Sequence, residues 1–127
     1  MINKIKIHVN EAKKILTIDI FGELNRENLQ KYKKEIQQVV NKELCKFENI
    51  EDWRLNIYTC HMILHKEDRA CIKDLLDFCV SEHTKMVDII LAKPQKKYRA
   101  WFNEVIQKDF AESHIKTLTT NNIFKFK

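Results

Sequence analysis

Residues 15–36 read ILTIDIFGELNRENLQKYKKEI, and the hydrophobic period changes partway along them. Leu16, Ile18 and Ile20 alternate with Thr17 and Asp19, the period of two that marks a strand with one wet face. Gly22, the only glycine of the chain, follows Phe21, where a strand must stop and let the chain turn into a helix. From Leu29 the apolar positions become Tyr32, Ile36, Val39, Val40 and Leu44, the stripe of an amphipathic helix, with Asn25 placed to cap its start.

Upstream, Ile5, Ile7 and Val9 alternate with Lys4, Lys6 and His8. The polar connection Asn10 to Lys13 is short enough for a hairpin, so the first two strands are expected to pair antiparallel. Downstream, Leu55, Ile57 and Thr59 alternate with Arg54, Asn56 and Tyr58 as a third strand, after a polar connection from Lys46 to Asp52. Ile72, Leu75, Leu76, Cys79, Val80 and His83 form a second helical stripe, opened by the acidic pair Glu67 and Asp68, which suits the positive end of a helix dipole. Val87 to Ala92 is a nearly continuous apolar run interrupted by Asp88, as an interior strand covered on both faces requires. Pro94 suits the first turn of a third helix with the stripe Tyr98, Trp101, Phe102, Val105, Ile106 and Phe110, and Ile115 to Thr119 reads as an edge strand before a short tail. Trp53 is expected to close one end of the core. Strands and helices in alternation predict a single α/β domain over residues 1–127. Its sheet is mixed and mostly parallel, of about four to five strands, with the helices packed on it.

The composition supports a packed domain. Hydrophobic residues make up 44% and charged residues 32% of the 127, with one glycine and one proline, which excludes collagen-like and Gly/Pro-rich disordered chains. No apolar run has the length of a membrane span. Met1 to Lys6 alternates charge with aliphatics where a secretory leader would be continuously apolar, so the reading is a cytoplasmic protein. The net charge of +5 comes from lysines alternating with glutamates rather than clustered arginines with aromatics, which argues against a nucleic-acid face. Cys45, Cys60, Cys71 and Cys79 contain no C-x-x-C pair and read as reduced thiols, with Cys71 and Cys79 buried near one helix face.

The quoted stretch resembles the opening of the sulfate-transporter and anti-sigma-factor-antagonist (STAS) domain family through Ile18, Ile20, Gly22, Leu24, Leu29 and Ile36. RLNIYTC at 54–60, IKDLLDFC at 72–79 and VDIILAKP at 87–94 are similar to its later elements. The resemblance implies a regulatory module that binds another protein. In that family's antagonist members an Asp-Ser-x-Gly motif at the start of the second helix is phosphorylated by a partner kinase. The corresponding positions here are Lys66-Glu67 or Asp68-Arg69-Ala70-Cys71, and no serine or threonine lies between Cys60 and Val80. The resemblance therefore implies a divergent member without phospho-control at this point.

Two classes of function follow. The first is a non-enzymatic binding module that docks a protein through the loop after the third strand and the start of the second helix, by His61, Met62, His65, Glu67, Asp68 and Arg69. Lys93, Lys96, Lys97 and Arg99 around Pro94 form a second candidate, for an acidic partner or an anion. The other class is a small-ligand or enzymatic domain using Cys60, His61 and His65 in that loop, where open α/β sheets often bind ligands. Three such residues at uneven spacing lack the paired ligands of a zinc site and the glycine-rich backbone of an oxyanion hole. The expectation is therefore no metal, no cofactor and no catalytic residue, with self-association left open.

Overall fold

A computed structural model describes residues 3–43, 53–82 and 86–120. The strands are β1 (Lys4–Asn10), β2 (Ile15–Glu23), β3 (Arg54–Ile63), β4 (Met86–Ala92) and β5 (His114–Thr120). The α-helices are α1 (Arg26–Glu43), α2 (Ala70–Glu82) and α3 (Lys96–Asp109). The sheet runs β1-β2-β3-β4-β5, with β1 antiparallel to β2 and every later pair parallel. This is the α/β architecture read from the sequence. Each parallel step moves one strand over through one helix, and connections of one hand then leave all three helices on the same side. In keeping with that, α2 packs against both α1 and α3.

Alternation assigns the faces. Ile5, Leu16, Ile18, Ile20, Leu55, Ile57, Val87, Ile89 and Ile115 are buried in one core with Leu29, Tyr32, Ile36, Ile72, Leu75, Leu76 and Phe102 from the helices. Trp53 is buried with them. Burying a side chain of this size contributes ~1.5–3 kcal/mol, so this layer supplies the main driving force for the fold.

Asn25 caps α1: its Oδ1 accepts the Asn28 backbone N–H at 2.8 Å. Gly22 has φ 93°, a conformation that costs any residue with a Cβ. It lies inside β2, which continues to Glu23, rather than after the strand's end. The Tyr32 hydroxyl lies 3.5 Å from Phe21 O and 3.4 Å from Glu23 O, fastening α1 to this turn.

Three expectations need correction. The third strand extends past Thr59 to Ile63, so Cys60, His61 and Met62 belong to β3 and not to a loop. A register shift between Asp19 and Phe21 pairs Asp19 with Tyr58 but Phe21 with His61, and this bulge lets the strand lengthen while keeping its pairing. The acidic pair does not open α2: Glu67 and Asp68 sit in a separate 3₁₀ turn, Lys66–Asp68, and the first turn of α2 holds no acidic residue. Pro94 precedes α3, whose cap position is Gln95. Cys45, Leu44, His83, the 46–52 connection and the tail after Thr120 lie outside the described residues.

Candidate functional site

The carboxyl ends of β2, β3 and β4 lie side by side; His61 and Met62 are on the end of β3, and the connections leaving β3 and β4 carry His65, Glu67, Asp68, Arg69 and Lys93. Parallel strands force this: every β-to-α connection emerges at the same end of the sheet.

From β3 the chain passes through Leu64 and His65 into the 3₁₀ turn. His65 Nε2 lies 3.1 Å from Glu23 Oε1 at the end of β2, and this hydrogen bond raises the His65 pKa. Lys66, Glu67 and Arg69 are exposed, and no residue of the turn is buried. Arg69 Nε donates to Lys66 O at 3.2 Å, and its guanidinium sits 5.5 Å from the centre of the Trp101 ring on α3. Met62 is packed with the core and is 3% exposed.

From β4 the chain turns through Lys93, Pro94 and Gln95. The Gln95 side chain accepts the Ala92 N–H at 2.8 Å and donates to Thr59 O at 2.9 Å, joining the ends of β3 and β4 at the mouth of α3. Tyr98 Oη accepts the Leu64 N–H at 2.9 Å. Between these connections lies a cleft of about 480 Å³, lined by Met62, Pro94, Gln95, Lys96, Lys97 and Tyr98. Lys93, Lys96 and Lys97 are exposed and Arg99 is half-buried. Of the two candidate sets only Met62, Lys96 and Lys97 line this cleft; His61 stacks on Phe21 on the other face of the sheet, and no residue from His65 to Arg69 is in the lining. Met62 contributes the apolar wall of the cleft rather than a protruding contact. Gln95 and Tyr98, which organise the site, stood in the sequence only as a residue after proline and a member of an apolar stripe.

The Cys60, His61 and His65 set does not assemble. His61 stacks on Phe21 with ring centroids 4.8 Å apart and planes at 9°, whereas His65 is held by Glu23. Among the described residues no three of His, Cys, Asp and Glu are grouped as a metal ion would require. Cys71 and Cys79 are buried, and burial pushes the Cys79 thiol up to about 12. No helix of the described residues is long and apolar enough to cross a membrane.

No protein-family model matches the chain, and no curated protein matches it in sequence.

Proposed function

We propose that this chain is a non-enzymatic, STAS-like adaptor that docks a protein partner at the carboxyl ends of β3 and β4. The observation that carries the reading is the shared cleft. An apolar wall from Met62 and Tyr98 is rimmed by Lys96 and Lys97, and Leu64, whose N–H is bonded to Tyr98, leads through His65 into the turn bearing Glu67, Asp68 and Arg69. Such a surface takes an apolar side chain from the partner, flanked by acidic groups facing the lysines and a basic group facing Glu67 and Asp68. The initial antiparallel hairpin and the order of strands and helices fit that resemblance to the STAS family. With no serine or threonine between Cys60 and Val80, the charge of the docking turn is fixed by sequence, and binding is constitutive with respect to phosphorylation there.

The test begins with affinity purification from the native host and identification of the recovered protein by mass spectrometry. Binding of that protein is then titrated against the wild type, Lys96→Glu with Lys97→Glu, and Glu67→Lys with Asp68→Lys. Both double reversals are expected to weaken binding with circular dichroism unchanged. Equal affinity in all three, or a dependence on kinase treatment, contradicts the reading.

A further inference from the structure

The face of the sheet opposite the helices carries a buried polar stripe. Asp19, in the middle of β2, is 1% exposed, and neither of its carboxylate oxygens has a hydrogen-bond partner among the described residues. Asn56 Oδ1 on β3 and Asp88 Oδ1 on β4 are buried and unpartnered in the same sense. The register sets Asn56 opposite Asp88, and Asp19 opposite Tyr58, two positions along β3 from Asn56. Alternation puts all three on one face, since Ile18, Ile57 and Ile89 beside them point into the core.

Buried polar atoms are normally paired, and ionised carboxylates with an amide oxygen cannot satisfy one another because each only accepts. The Thr17 hydroxyl and the Asn56 amide share this face, and Arg54 Nε lies 3.8 Å from Asp88 Oδ2, yet among the described residues no donor reaches either oxygen of Asp19. Among the described residues there is no grouping of three ligands to hold a metal ion. A proton on Asp19 removes the cost of holding an unpaired charge out of water. We propose that Asp19, buried with no hydrogen-bond partner among the described residues, keeps a proton in the folded protein at mildly acidic pH, so that folding takes up a proton and the sheet responds to pH.

The groups facing Asp19 come from every neighbouring strand. From β1, Lys6 lies directly opposite, with Lys4 and His8 on the same face. From β3 come Tyr58, Cys60 and His61, and from β4 Asp88. Lys6 Nζ sits 5.2 Å from the centre of the Phe21 ring rather than on the carboxylate. Burial raises the Asp19 carboxyl from 3.8 to about 6, against the opposing pull of His61 and Lys6.

The sign follows from linkage. The folded value lies above the unfolded one, so the contribution of Asp19 to stability is full below the unfolded value. It declines as pH rises and is gone above the folded value. Urea unfolding of the full chain from pH 4 to pH 8 reads this directly when wild type is compared with Asp19→Asn, whose amide supplies a permanent donor. The wild-type folding constant is expected to fall ~100-fold relative to Asp19→Asn across that range. Parallel curves overturn the proposal. Should Asp19→Asn fail to fold, carboxyl-carbon NMR of the wild type decides: an Asp19 midpoint above about 5 supports the retained proton and one below it overturns it.

Discussion

The Tyr98 hydroxyl accepts the Leu64 backbone N–H at 2.9 Å, joining the exit of β3 to the first turn of α3 across 34 positions of sequence. Leu64 is buried, so without Tyr98 this N–H loses its partner. The bond holds the two walls of the cleft at a fixed spacing, and Gln95 repeats the tie one layer deeper through Thr59 O and the Ala92 N–H.

Tyr98→Phe keeps the ring and removes only the acceptor. It is expected to cost ~1–3 kcal/mol in urea unfolding, the range for stranding a buried donor, and to weaken docking in the same variant. Unchanged stability and binding mean that the hydroxyl does not organise the site.

Gly22→Ala places a Cβ at φ 93° between Phe21 and Glu23, where the Tyr32 hydroxyl closes over the backbone. The expected loss is ~1–2 kcal/mol, measured by thermal or urea unfolding. A loss near zero means that the segment relaxes to negative φ without disturbing α1.

The His65 and Glu23 pair has a direct spectroscopic readout. The hydrogen bond to Glu23 raises the His65 pKa above its ordinary 6.5, so the pair contributes most when the imidazole is protonated and weakens as pH rises through the raised value. Both side chains are exposed, so the effect on global stability is small. In Glu23→Gln the His65 ring protons are expected to titrate at lower pH by NMR, and an unmoved midpoint shows that the contact is not kept in solution.

Thiol chemistry checks the core. Burial raises both Cys71 and Cys79, the latter to about 12, and places them out of reach of reagents. Mass spectrometry after iodoacetamide treatment is expected to find these two alkylated only under denaturing conditions. Rapid labelling in the native state contradicts the packing of α2 on the sheet.

What the sequence made legible followed from local chemistry. The alternation of Leu16, Ile18 and Ile20, the stripe from Leu29 to Val40, and the cap at Asn25 are decided by neighbours within one element, and they match β2, α1 and the Asn28 bond. What escaped depends on long-range geometry. The bulge that carries β3 through His61 and Met62 exists because β2 pairs beside it. The roles of Gln95 and Tyr98 need the ends of β3 and β4 in contact with α3. Asp19 occupied a position that alternation assigns to solvent, yet the other face of an interior strand is walled by its neighbours, and Asp19 is buried there. Glu67 and Asp68 suited a helix start by charge, but His65 and Arg69 close a separate turn around them before α2 begins.

Amide chemical-shift mapping locates the docking surface residue by residue. The isotope-labelled chain is titrated with the recovered partner. The expected result is a set of perturbed amides running from Met62 to Arg69 and from Gln95 to Arg99, on the two connections that enclose the cleft. Perturbations confined to the opposite end of the sheet, around the 11–14 hairpin turn, or to the β5 edge near Leu118, which is 41% exposed, would contradict docking at the cleft.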